Sequence, residues 1–217
     1  MTRKLFWENP YQVEFDAVVL KIDGNKVILD KTCFFPQGGG QVGDIGEISG
    51  VKVVNAQKDE MYTVTHILEK EPPFKVGDLV HGKIDWERRY KIMKLHSAAH
   101  IVYYLMQEVF GEACKPSSSG LLDDKKDRSD YFFTDRLDLN KLKLVEERAN
   151  EIISKGYEIQ TWSDEQDPNR RYWKIEIFPV MACGGTHPRN TCEIGKIRLD
   201  RGKKPGSGRE RIEISLI

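Results

Sequence analysis

Between Val13 and about Asp85, apolar and polar residues alternate in short runs, each closed by glycine or a polar turn: VEFDAVVLKIDGNKVILDKTCFFP, GEISGVKVVNAQ, YTVTHILE and VGDLVHGKID. A period of two puts the apolar side chains on one face of a strand, so this stretch predicts a compact antiparallel sheet or barrel. Asp23-Gly24-Asn25 supplies a hairpin turn within it. The period then becomes helical. Leu95, Ala98, Ala99, Ile101, Val102, Leu105, Met106 and Val109 cover so much of a helix circumference that the helix must be mostly buried, with Asp85 as N-cap and Gly111 as stop. A second helix is predicted from Leu139 to Lys155, capped by Asp138, stopped by Gly156, and burying Leu142, Val145, Ala149, Ile152 and Ile153. DYFFTD, YEIQTW, KIEIFPVM, CEIGKIRLD and RIEISLI read as strands around it, and SDEQDPNRR as an exposed loop. The expected fold class is α+β. A small antiparallel β-barrel domain over residues 1–86 is followed over 87–217 by an α+β domain with helices packed on an antiparallel sheet.

A length of 217 residues accommodates two such domains. Lys plus Arg and Asp plus Glu both number 34, so no global field recruits nucleic acid and any such contact needs a local patch. Two basic clusters qualify: Arg88, Arg89, Lys91 and Lys94 at the start of the first long helix, and Lys203, Lys204, Arg209 and Arg211 near the C-terminus. No run approaches the ~18 apolar residues of a membrane span, and MTRKLFWENPY lacks a signal peptide's apolar stretch, so a cytoplasmic location is expected and no membrane partner. Cys33, Cys114, Cys183 and Cys192 form no compact disulfide framework, which leaves metal binding or burial as their uses. Cys33 and Cys114 are expected in the core, and so is Cys192, the spare ligand candidate, because the strand EIGKIRL follows it.

His96 and His100 stand four apart on the predicted buried helix, so both imidazoles leave one face within reach of one ion. Cys183 and His187 in MACGGTHP repeat that spacing at a predicted strand end, where Gly184 and Gly185 are expected to let the backbone turn sharply. Three nitrogens and a thiolate suit one tetrahedral zinc ion. HSAAH lacks the glutamate of a metallopeptidase, which disfavours peptidase chemistry. Four protein ligands would close the shell and three would leave a place for water; the spacing leaves both open. FFPQGGGQVGD matches G-x-G-x-x-G through Gly38, Gly40 and Gly43, yet strand-like sequence follows where a dinucleotide fingerprint needs a helix.

Taken together, HSAAH, CGGTH and FFPQGGGQVGD resemble the editing domain of alanyl-tRNA synthetase and its free-standing AlaX-type relatives. The resemblance extends through SSSGLLDDK, LVEERANEIISKG and GSGRERIEIS, covering nearly the whole chain, and the extra N-terminal barrel resembles the medium-length class. It implies hydrolysis of tRNA(Ala) wrongly loaded with serine, or in some members glycine, in trans and without aminoacylation. By position it implies zinc ligands at His96, His100, Cys183 and His187, and a glycine-rich motif from Gly38 to Gly43, with Gln41 inside it, that shapes the amino acid pocket. Gln41 and Thr186 are the expected groups for polarising the ester and orienting water; Gly38, Gly39, Gly40, Ser97 and Ser118 are the expected substrate contacts. Ala99 stands where many family members carry threonine, which puts the preference for serine over glycine in question. Two other readings compete: a non-catalytic zinc-stapled RNA-binding module, and a threonyl-tRNA-synthetase-like editor of Ser-tRNA(Thr).

Overall fold

The computed structural model describes residues 2–117, 120–133 and 136–217. It divides into two compact units, Met1–Gly38 with Val42–Tyr90, and Gly39–Gln41 with Lys91–Ile217. No helix among the described residues is long and apolar enough to cross a membrane.

The first unit opens with β1 (Arg3–Lys4) and the single-turn α1 (Leu5–Glu8). Then come β2 (Glu14–Asp23), β3 (Lys26–Leu29), β4 (Lys31–Thr32), β5 (Gly46–Ile48), β6 (Val51–Lys58), β7 (Val64–Leu68) and β8 (Leu79–Ile84). Six of these close an antiparallel barrel in the order β2-β3-β7-β6-β5-β8, while β1 pairs in parallel with β4. The alternation is what closes it: Phe15, Ala17 and Val19 of β2 are buried while their neighbours face out. The β2–β3 hairpin turns at Gly24, whose φ is +57°.

Two polar devices sit inside this unit. His66, fully buried, bonds through Nδ1 to the Val27 carbonyl at 3.0 Å and through Nε2 to Thr32 Oγ1 at 2.8 Å, and Thr32 Oγ1 accepts from Phe34 N. A neutral ring protonated at Nδ1 satisfies every partner, and burial pushes the pKa down to about 4. Arg89 is also fully buried, its guanidinium paired with Asp44 (Nε to Oδ1 2.9 Å) and donating to the Cys33 carbonyl at 2.7 Å. This corrects the expectation that Arg89 belongs to a phosphate-binding patch: it is a core residue.

The second unit contains α2 (Trp86–Phe110) from Lys91 onward, β9 (Leu121–Leu122), β10 (Asp127–Phe132), α3 (Leu139–Ser154), β11 (Gln160–Ser163), β12 (Arg171–Lys174), β13 (Met181–Ala182), β14 (Ile197–Arg201) and β15 (Arg209–Leu216). One antiparallel sheet runs β14-β15-β10-β9 and another β11-β12-β13. Along α2, Leu95, Ala98, Ile101, Val102, Leu105 and Met106 are fully buried. Asp138 caps α3 by accepting from Asn140 N and Lys141 N, and the five predicted residues form its buried stripe. The outer edge of β14 is covered by α3: Asn150 donates to the Ile197 carbonyl and accepts from Ile197 N, and Glu146 accepts from Leu199 N at 2.6 Å.

Two predicted strands differ. KIEIFPVM is interrupted between β12 and β13, with Pro179, which has no N–H to offer a ladder, in the gap. CEIGKIRLD begins instead with a 3-10 turn, Thr191–Ile194, because Asn190 and Glu193 form a reciprocal capping box. That turn leaves Cys192 exposed, where a core position was expected. Cys33 and Cys114 are buried.

Replacing Asp44 with Ala strands a buried guanidinium and should cost about 3–5 kcal/mol in a denaturant titration, more than exchanging both partners for apolar residues of similar volume. If the single and double replacements cost the same, the pair is not what stabilises this region. For His66 the depressed folded pKa makes its contribution complete above pH 6.5 and lost as pH falls toward 4, by about 3 kcal/mol from the ~2.5-unit shift. A ring that titrates in NMR near pH 6.5 contradicts this, as does an unchanged stability slope in His66→Gln.

Candidate metal centre

Helix α2 presents His96 and His100 one turn apart, their rings 4.8 Å from centre to centre. Cys183 follows β13 directly, its N–H donating to the Arg171 carbonyl at 2.8 Å, and the chain then brings in His187. The four ligand atoms all lie within 4.8 Å of one another. Cys183 Sγ is 3.5 Å from His96 Nε2 and 3.3 Å from His187 Nε2. Bonds of ~2.3 Å to sulfur and ~2.05 Å to nitrogen at a tetrahedral angle would put S and N about 3.6 Å apart, so these are the edges of a metal-sized tetrahedron.

Hydrogen bonding alone does not account for the cluster. A thiol has one proton, yet two imidazole nitrogens approach this sulfur, which also accepts from Gly185 N at 3.4 Å. His100 Nε2 is buried without any partner. A cation accepting all four lone pairs resolves both problems, and the residues can hold one metal ion.

The surrounding hydrogen bonds aim the rings. Gln41 Oε1 accepts from Thr186 N at 3.3 Å, and Gln41 Nε2 donates to Thr186 Oγ1 at 3.1 Å, which fixes the amide orientation. His96 Nδ1 therefore donates to Gln41 Oε1 at 2.8 Å, leaving the Nε2 lone pair toward Cys183. Ser97 Oγ stands 2.9 Å from His187 Nδ1 in the equivalent place. Trp173, fully buried, sets its edge against the His100 ring at 4.9 Å. Burial pushes His96 down to about 4 and His100 and His187 well below the usual histidine range, so all three rings are neutral. Burial likewise pushes the Cys183 thiol up to about 11, against the pull of Gly185 N–H and Arg171. Only a cation would hold it as thiolate at neutral pH.

Gly185 is required by space. A Cβ there would lie 2.1 Å from His96 Cε1, so at Gly185, where the chain bends as expected but without a positive φ, the missing side chain also clears space for the ring. Gly40 needs both: its φ is +86°, and a Cβ would lie 2.4 Å from the Gly120 carbonyl. Its own carbonyl accepts from Leu122 N at 2.9 Å, so Gly39–Gln41 extends the edge of β9.

His96 and His100 open onto a cavity of about 480 Å³. Gly39, Gly40 and Ala99 line it, Ala99 offering a methyl where a hydroxyl was sought. Gln41, Ser97 and Thr186 are buried among the histidines and do not line the cavity. Gly38 belongs to the first unit and is not among the lining residues, and Ser118 lies outside the described residues. Among the lining residues that the sequence reading missed are Asp127, Ser129 and Tyr131. Their i, i+2, i+4 spacing on β10, shared with a tyrosine too large to leave exposed, was the available signal. Arg211, expected in a basic patch, is committed to Asp130 on the neighbouring strand at 2.7 and 3.0 Å.

Comparison with known proteins agrees with this geometry. Residues 6–88 match the family described as tRNA synthetases class II (A), and residues 165–213, which hold Cys183 and His187, match the threonyl and alanyl tRNA synthetase second additional domain. Over its full length the chain is 38% identical to alanyl-tRNA editing protein AlaX-M of Pyrococcus horikoshii, covering 98% of that protein. It is 37% identical over 99% of its length to alanine–tRNA ligase of Methanococcus maripaludis and 34% over 98% to that of Sulfurisphaera tokodaii, spanning 26% of each. The chain belongs to the family of AlaX-type alanyl-tRNA editing proteins and alanyl-tRNA synthetase editing domains.

Proposed function

We propose that this protein hydrolyses the ester joining serine, and also glycine, to tRNA(Ala), at one zinc ion held by His96, His100, Cys183 and His187. The observation that carries the reading is a desolvated set of three nitrogens and a sulfur opening onto a cavity walled by bare glycine backbone. When bound, zinc supplies a Lewis acid that can polarise an ester carbonyl or acidify water.

The chain's own residues do the rest. Gln41 and Thr186 act through His96, holding its Nδ1 proton so that Nε2 stays a ligand. Ser97 does the same for His187. Gly39 and Gly40 present bare backbone at the cavity wall, where the acyl group would lie. Serine exceeds alanine by one hydroxyl, so strong preference requires a wall that hydrogen-bonds it. Ala99 offers none, whereas Ser129 and Tyr131 of β10, both hydroxyl-bearing, line the same cavity. RNA phosphates have a separate cleft of about 470 Å³ lined by Arg136, Arg201, Lys204 and Arg209, with Glu210 tying Arg201 in place.

Deacylation measured side by side on Ser-, Gly- and Ala-tRNA(Ala), with bound metal quantified, tests the reading. Serine and glycine should be released and alanine spared, while His100→Ala and Cys183→Ala should lose the metal and at least ~100-fold in rate. Tight tRNA binding with a full metal complement and no turnover would favour the zinc-stapled RNA-binding module. Faster release from Ser-tRNA(Thr) than from Ser-tRNA(Ala) would redirect the assignment to the threonyl system. Separately, Gln41→Leu should weaken metal affinity about 10–100-fold in a chelator competition. Unaltered affinity would remove Gln41 from the support of His96.

A further inference from the structure

Asp127 opens β10 on the face that it shares with Ser129 and Tyr131, and all three line the cavity beside His96 and His100. It is 3% exposed. Its Oδ2 accepts from Ser129 Oγ at 2.8 Å, a neutral donor. The basic side chains around it are used elsewhere: Arg128 pairs with Asp123 at 3.0 Å, Lys126 with Glu213, and Arg211 with Asp130. No ion pair among the described residues reaches Asp127. Lys115 also lines the cavity, but it is exposed to solvent.

A carboxylate buried without a cation is costly, and burial accordingly pushes Asp127 up to about 7. Such a group is retained where something else brings the positive charge. Gly120 keeps the place open, since a Cβ there would lie 2.8 Å from Ser129 Oγ and 3.1 Å from Asp127 Oδ1. No other carboxylate lines this cavity among the described residues.

An aminoacyl ester at neutral pH carries one cation on its acyl part, the α-ammonium. We propose that Asp127, steadied by the Ser129 hydroxyl, is the subsite that receives that ammonium. The assignment rests on the aminoacyl-ester reading above and deepens it: the cavity selects a free amino terminus next to the ester and rejects acyl groups whose nitrogen is blocked or replaced. A charged hydrogen bond made in a desolvated wall is the strong kind, and its loss leaves the carboxylate unpaired again.

The test uses metal-loaded protein and two non-hydrolysable adenosine 3′-amides, one carrying a seryl group and one its α-hydroxy counterpart, with affinities measured by calorimetry. Wild type should bind the seryl amide roughly 10–100-fold more tightly than the hydroxy amide, the range of one charge-assisted hydrogen bond. Asp127→Asn should bring this preference to within about threefold while leaving hydroxy-amide affinity and metal content unchanged. Equal affinities in wild type would overturn the assignment without needing any variant, as would an Asp127→Asn protein that loses both ligands in the same proportion. Should wild type bind neither amide, the aminoacyl-ester reading itself fails and this subsite with it. Ser129→Ala, a milder change, should reduce the preference in the same direction; an undiminished preference would remove Ser129 from the subsite.

Discussion

The second unit is organised around a shortage of protons. Cys183 Sγ lies near two imidazole nitrogens and a backbone N–H, and a third imidazole nitrogen, His100 Nε2, is buried with no partner at all. Burial makes the charged forms of all these groups expensive, so the rings are neutral and the thiol resists ionisation. Neutral acceptors crowded at 3.3–3.5 Å without enough protons to share are unstable unless a cation joins them. The polar atoms that would be the least favourable part of this core become, with an ion, a cross-link between α2 and the chain after β13.

That constraint propagates outward. For His96 to point Nε2 at sulfur, its Nδ1 must find an acceptor in the core, and Gln41 supplies one only because Thr186 holds its amide from two sides. For the ring to fit, residue 185 must lack a Cβ. For Gln41 to arrive, the chain before it must run along β9 at a distance that only glycine allows, since Gly40 faces the Gly120 carbonyl. The glycine motif and the metal motifs, which look unrelated in the sequence, are thus consequences of one geometric demand.

Much of this was legible in the sequence because it is local. The alternation of Phe15, Ala17 and Val19, the inner stripe of α3 and its Asp138 cap each follow from a few neighbouring residues. The two ligand pairs were legible for the same reason, each being an i, i+4 spacing. What escaped was set by contacts distant in sequence. Arg89 reads as one charge among several in RRYK, and only Asp44, 45 positions away, makes it a core residue. Gln41 reads as a loop amide until His96 and Thr186 are placed around it. Asn190 and Glu193 are the opposite case: a local capping box was written in NTCE, and the strand-like residues after it obscured the signal.

The proposed ester hydrolysis would make modest demands on acid–base power and severe ones on selection. None of the three neutral imidazoles would be available as a proton carrier while serving as a ligand, so distinguishing one acyl chain from another would fall to the other lining residues, among them those of β10 and the glycine wall. A methyl at Ala99 cannot favour serine over alanine, because an apolar wall discriminates only by size. Serine and glycine bracket alanine in size, so a steric filter that admits both without admitting alanine is difficult to build. Polar contacts resolve this if they hold the amino acid's constant part firmly and let the side chain decide whether the ester reaches the metal in register. A fixed hold on the backbone end of the acyl group then turns small differences beyond Cα into differences of alignment, which affect rate more steeply than affinity.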